Sequence, residues 1–197
     1  MTQAELFEPV ARLPEGFAYH ADFLGSAQER GLVEIIRSLP LREALYKQWS
    51  AKRRIVSYGG RYDFSQNELL PASAIPTFLF ELREQVAAWT RIPAAQFNHA
   101  MIAEYRPGTQ LGWHRDVPDF ESVVGVSLNG ACRMRFRPYP PVANHRRASF
   151  ALELQPRSVY SMRGPARWAW QHAISPTKTL RYSITLRTLA AARGAGE

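Results

Sequence analysis

The chain has 197 residues, 46% of them hydrophobic and 21% charged, which suffices for one domain with a sizeable core and excludes wholesale disorder. A single cysteine, Cys132, excludes a disulfide framework and any zinc site built on two thiolates of this chain. The formal net charge of +8 favours an anionic partner, and all but Lys47, Lys52 and Lys178 of the 25 basic residues are arginine, the side chain suited to phosphate forks.

No run of about 18 apolar residues is present, so no membrane partner is expected; the thiol content and the acidic Glu5 and Glu8 near the start suit a cytoplasmic protein, and a monomer is expected. Residues 1–20, with Pro9, Pro14 and Gly16, read as an extended lead-in. Gln28 to Ser38 places Leu32, Ile35, Ile36 and Leu39 at helical spacing, and Leu41 to Trp49 is expected to continue as a second short helix after Pro40. Arg53 to Tyr58 has the look of a strand ended by Gly59-Gly60, and Arg61 to Pro76 reads as a surface loop or lid. Ile75 to Ile92 is the clearest helix, with Phe78, Leu79, Leu82, Val86 and Trp89 on one stripe.

After Pro93, short β-branched and aromatic runs alternate with turn signals. Eight strands are predicted, at about 98–105, 111–115, 122–128, 132–137, 147–154, 158–162, 168–174 and 181–188, separated by turns such as Pro107-Gly108 and Asn129-Gly130. Helices first and eight short strands afterwards predict an α+β chain: a double-stranded β-helix (jelly roll) over 97–188, helical support and a lid over 1–96, and a flexible tail over 189–197.

Of the five histidines, His114 is the most informative, because His114-Arg115-Asp116 lies inside the strand-rich half. Positions i and i+2 of a strand share a face, so an imidazole and a carboxylate there can grip one metal ion, with His172 on a later strand as third ligand. Two histidines and a carboxylate leave coordination positions open, the arrangement of non-haem Fe(II) oxygenases; zinc is the weaker alternative. His20-Ala21-Asp22 repeats the spacing, but Asp22 reads as a turn or helix-start residue, His99 as a strand histidine and His145 as a loop histidine. The last strand alternates Arg181, Ser183, Thr185 and Arg187 with Tyr182, Ile184 and Leu186. Its polar face either points into the barrel, where desolvated arginines require an anion such as a small dicarboxylate, or lies solvated outside.

The order Tyr105-x2-Gly108-x5-His114-x-Asp116, then His172, then Arg181-x5-Arg187 resembles the AlkB-type Fe(II)/2-oxoglutarate-dependent dioxygenases over about residues 53–188. The resemblance implies that His114, Asp116 and His172 bind Fe(II), that Arg181 pairs with the distal carboxylate of 2-oxoglutarate with Tyr105 and the Ser183 position helping to hold it, and that Arg187 sits near the keto-acid end. It further implies O2 as the oxidant, succinate and CO2 as co-products, and formaldehyde release when an N-methyl group is hydroxylated. The stretch Arg54 to Phe64 is similar to the family's nucleotide-recognition lid. Ala103 and Ser183 stand where many members have Asn, and Pro118 where the prototype repair enzyme has an acid.

Alkylated DNA or RNA is the expected substrate, its base held by flat groups among Tyr58, Tyr62 and Trp113 with Arg61 beside them. Arg133, Arg135 and Arg137 form a row on one sheet face, and they, Arg53-Arg54 and Arg146-Arg147 are either phosphate contacts or ordinary solvated arginines. Two other readings remain: the same chemistry on a protein side chain or small molecule, and a non-catalytic basic module that binds nucleic acid.

Overall fold

The structure, a computed structural model, describes residues 13–46, 49–63, 66, 68–140 and 149–191. In chain order the elements are strand β1 (Phe17–His20), helix α1 (Ser26–Ser38), β2 (Arg42–Tyr46), β3 (Trp49–Tyr58), a hairpin of β4 (Arg61–Asp63) and β5 (Glu68–Leu70), and helix α2 (Phe80–Thr90). The strands β6 (Phe97–Tyr105), β7 (Leu111–His114), β8 (Phe120–Leu128), β9 (Cys132–Pro138), β10 (Phe150–Leu154), β11 (Val159–Met162), β12 (Trp170–Ile174) and β13 (Arg181–Leu189) follow. They form a seven-stranded sheet in the order β1-β11-β8-β13-β6-β3-β2 facing a four-stranded sheet in the order β10-β9-β12-β7. Every pairing is antiparallel, and the whole is a double-stranded β-helix with its helices on one side.

Strand parity sorts the side chains into two apolar layers. On β13, Tyr182, Ile184 and Leu186 face outward and join Ile102, Val124 and Val126 against Leu32, Val33 and Ile36 of α1 and Leu82 and Val86 of α2. Between the sheets, Ala103, Val123, Met134, Phe136, Leu154 and Ile174 form the second layer. At about 25 cal/mol per Å² of apolar surface, burying a side chain such as Ile36 or Leu82 contributes roughly 1.5–3 kcal/mol each. The stripe predicted for α1 is shifted: Val33 is buried, while Ile35 is 37% exposed. Pro76, extended itself, delays α2, which starts after a 3-10 turn at Thr77–Leu79.

The helix predicted for Leu41 to Trp49 is instead the edge strand β2, paired with β3 from Arg42↔Ile55 to Tyr46↔Trp49. Leu, Glu and Ala favour helix intrinsically, but docking against an existing strand overrides that weak preference. The loop predicted after Gly59-Gly60 contains the β4–β5 hairpin, and the lead-in contains β1, paired with β11. Gly59 has φ +76°, and a Cβ there would run into the Asn98 carbonyl, so the sharp exit from β3 requires glycine. The strand predicted from Arg147 begins its described part at Phe150; His145, Arg146-Arg147, Phe64 and most of the tail lie outside the described residues. Among the described residues no helix is long and apolar enough to cross a membrane.

Candidate metal centre and anion pocket

β7 and β12 run side by side with His114 opposite His172, both rings turned into the barrel with centroids 4.2 Å apart. The shared strand face predicted for His114 and Asp116 is not what unites them, because β7 stops at His114 and Asp116 lies in the loop beyond. Two arginines hold Asp116 instead, one by its carboxylate and one by its backbone. Arg187, from β13 across the barrel, donates Nε (3.0 Å) and Nη2 (2.9 Å) to Asp116 Oδ1. Arg167, 2% exposed, donates to the carbonyls of Asp116, Val117 and Phe120 and so pins the loop. One ligand atom from each of His114, Asp116 and His172 can be chosen so that all lie within 4.8 Å of one another, with Asp116 Oδ2 3.6 Å from His172 Nε2.

The protonation states suit a cation. His114 Nδ1 lies 2.8 Å from the Gly112 carbonyl, which can only accept, so Nδ1 carries the proton and Nε2 keeps its lone pair. Burial lowers the pKa of His114, and burial together with the neighbouring His114 lowers that of His172 to about 3, keeping both rings neutral. Burial opposes ionisation of Asp116, yet Arg187 and the nearby imidazoles outweigh it and hold the carboxyl well below the usual carboxylate range. Two neutral imidazoles and an ionised carboxylate, one oxygen of it left by Arg187, form a donor set with room for an Fe(II) ion.

Farther along the inner face of β13, Arg181 is 2% exposed. Its Nε donates to Ser127 Oγ at 2.9 Å, and its guanidinium lies 5.0 Å from the centroid of the Tyr105 ring. Among the described residues no carboxylate pairs with it, although a buried guanidinium left unpaired is costly. Ser183 and Thr185 lie between Arg181 and Arg187, so the predicted polar face of the last strand points inward as the floor of a cavity that reaches the histidines. Arg181 and the His114, Asp116 and His172 cluster line this one cavity, so a cationic anchor and a candidate metal site face the same space.

The lining contains residues that no motif marked. Arg53 enters from β3, donates Nη1 toward the Tyr105 hydroxyl at 3.4 Å, and leaves its buried Nε without a partner. Tyr160 of β11 lines the same cavity. Arg53 shares its strand face with the inward Ile55, so parity could have found it; Arg167 sits in a single helical turn, Pro165–Trp168, where no periodicity exists to read.

Among the expected base-holding residues, Tyr58 and Trp113 are not in the cavity. Tyr58 shares its face with Val56 and packs against the helical layer. Trp113 precedes inward His114, so it lies on the outer face of the four-stranded sheet, with Arg135 and Arg137 5.1 and 4.6 Å from its ring centroid. Arg61 and Tyr62 are on β4; burial, then the charge of Asp119, raises the Tyr62 hydroxyl pKa, placing Tyr62 by the loop that carries Asp116. His99 is a buried strand histidine whose Nδ1 lies 3.3 Å from Arg187 Nη1. His20 is exposed and Asp22 pairs with Arg157 in a turn, so the second His-x-Asp forms no such cluster.

The profile of the 2OG-Fe(II) oxygenase superfamily matches residues 36–187. An uncharacterized protein of Acanthamoeba polyphaga mimivirus is 27% identical over 83% of this chain and 74% of its own length. The probable RNA/DNA demethylase ALKBH6 of Danio rerio is 23% identical over 84% of this chain and 71% of its length. The alkylated DNA repair protein ALKBH8 homolog of Arabidopsis thaliana is 26% identical over 78% of this chain and 49% of its length. Among solved structures, OsALKBH1 superposes with a TM-score of 0.66 at 14% identity, over 89% of this chain and 99% of that one. A profile match running from α1 almost to the end of β13, relatives of the ALKBH group and a barrel that holds two neutral histidines, an aspartate and a buried arginine without a carboxylate partner among the described residues agree: the chain belongs to the 2OG-Fe(II) oxygenase superfamily as an AlkB-type dioxygenase that uses Fe(II), 2-oxoglutarate and O2.

Proposed function

We propose that this dioxygenase removes alkyl groups, methyl above all, from bases of DNA or RNA, with His114, Asp116 and His172 as the iron ligands. Fe(II) with 2-oxoglutarate and O2 supplies the power to hydroxylate a carbon–hydrogen bond, leaving succinate and CO2. The protein's part is to hold and to exclude. His114 offers Nε2 because Gly112 holds its other nitrogen, Arg187 aims Asp116, and Arg181 takes the distal carboxylate of the oxoacid beside Tyr105 and Ser183. Arg187, already engaged by Asp116 and His99, positions the carboxylate rather than gripping the keto acid.

The observation that carries the substrate class is the outer face of the four-stranded sheet. Arg133 and Arg135 point out from β9 between buried Cys132, Met134 and Phe136, and Arg137 follows with its Nε on Gln171. Arg135 and Arg137 lie over Trp113, and Arg115 lies 3.8 Å from the Tyr139 ring centroid. Arg115, Arg135 and Arg137 have no ion pair among the described residues. Guanidinium groups held over aromatic faces and free of carboxylates suit a phosphodiester chain, and Trp113 and Arg115 flank His114 in the chain, so the basic face adjoins the metal centre. The names of the two ALKBH relatives support the same class. Arg61 and Tyr62, on the hairpin beside the Asp116 loop, are the groups we assign to the base.

The test is formaldehyde release across methylated single- and double-stranded DNA, RNA and a methylated peptide panel. The proposal expects release from oligonucleotides; release from peptides alone would overturn it.

A further inference from the structure

Tyr160 is a half-buried phenol in the cavity wall that no motif explains and that the assigned roles leave unused. It sits on β11 opposite Gly125 of β8, and Gly125 in turn sits opposite Thr185 of β13. A side chain on a sheet normally stands up from it, because the neighbouring strand's Cβ occupies the space alongside. Gly125 has none, and a Cβ built there would overlap Cε1, Cζ and the hydroxyl oxygen of Tyr160. The Tyr160 ring therefore lies down across β8, backed by the nearly parallel Phe17 ring at 6.2 Å (interplanar angle 7°). Its hydroxyl therefore sits over Gly125, in the cross-strand row that continues to Thr185, and Tyr160 lines the cavity that Arg181 and Arg187 also line.

We propose that the Tyr160 hydroxyl donates a hydrogen bond to the distal carboxylate of 2-oxoglutarate beside Arg181, and that Gly125 is present to let it reach. The inference rests on the reading of Arg181 as the anchor of the oxoacid. Three features support a donor role. Among the described residues the guanidinium of Arg181 donates only through Nε, so its fork is open to an anion, and the phenol lines the same cavity. Burial, then the charge of Asp116, raises the phenol pKa, so it stays protonated. Ala103 and Ser183, opposite each other on β6 and β13, are short, so these two positions add little reach toward the anion beyond that of Tyr105 and Arg181.

The experiment measures binding rather than turnover: calorimetric titration of 2-oxoglutarate, and of 2-oxobutyrate, which lacks the distal carboxylate, into Mn(II)-loaded protein. Tyr160→Phe keeps the ring and its packing on Phe17 and is expected to weaken 2-oxoglutarate binding about ten-fold, the usual worth of a hydrogen bond to a charged group, while leaving 2-oxobutyrate within about two-fold. Gly125→Ala displaces the ring and is expected to produce a similar selective loss, with the double variant no worse than the worse single. If Gly125→Ala fails to fold, Tyr160→Phe decides alone. Unchanged 2-oxoglutarate affinity in Tyr160→Phe, or an equal loss for both oxoacids, overturns the inference. Failure of the unmutated Mn(II) protein to bind 2-oxoglutarate would instead sink the reading of Arg181, and this inference with it.

Discussion

Asp116, a proposed iron ligand, shows how neighbours prepare one residue for that role. Its Oδ1 takes two bonds from Arg187 and its backbone is tied by Arg167, so Oδ2 is left to face His172. Groups that orient ligands in this way typically contribute 10–100-fold to metal affinity. Arg187→Met is therefore expected to weaken Mn(II) binding by about that range, with partial recovery in Arg187→Lys, as read by metal titration. His114→Ala is expected to abolish turnover while leaving the far-ultraviolet circular dichroism unchanged, since His114 is a half-buried, proposed iron ligand and no part of the apolar layers. Arg181→Ala should raise the KM for 2-oxoglutarate by roughly 10–100-fold with a smaller change in kcat, because it deletes the charged group proposed to anchor the oxoacid remote from the oxidised carbon.

The element that carries most at the next scale is β9, whose two faces do different work. Met134 and Phe136 point into the barrel behind His172, while Arg135 and Arg137 point outward over Trp113. Replacing both by glutamate (Arg135→Glu with Arg137→Glu) should weaken binding of a labelled single-stranded oligonucleotide and flatten its salt dependence, by about 0.7 in the log–log slope for each phosphate no longer neutralised. Fluorescence anisotropy at several salt concentrations measures both; an unchanged slope would remove this face from the nucleic-acid interface. Strands of this kind are legible from alternation alone, which is why the polar face of β13 and the arginine row of β9 can each be grouped from the sequence. β2 is not legible, because a short stretch of Leu, Glu and Ala carries a helical preference that only the presence of β3 reverses.

At the scale of the whole molecule, the barrel must keep buried imidazoles neutral, and that makes it sensitive to acid. His99, lodged between Phe120 and Arg187, has its pKa lowered to about 3 by burial and by the Arg187 charge. In the unfolded chain the same group titrates near 6.5, so between those values the unfolded state binds the extra proton. The stability that neutral His99 contributes is complete above about 6.5 and is lost as pH falls toward 3. For the metal-free protein this amounts to something on the order of 2 kcal/mol between pH 7 and 5. A thermal-unfolding series should show a shallower decline in His99→Gln than in the unmodified chain. The sequence by itself determined the alternation of the strands, the chemical types of the proposed iron ligands and the order in which they occur, because period-two patterning and side-chain chemistry are local properties. Only the tertiary structure decided that Arg187 holds Asp116, that Tyr58 and Trp113 turn away from the cavity, and that Tyr160 lies over Gly125 in the cavity that Arg181 lines. Those facts depend on which strands become neighbours and in what register, and register is settled by burial of the whole set of apolar faces at once.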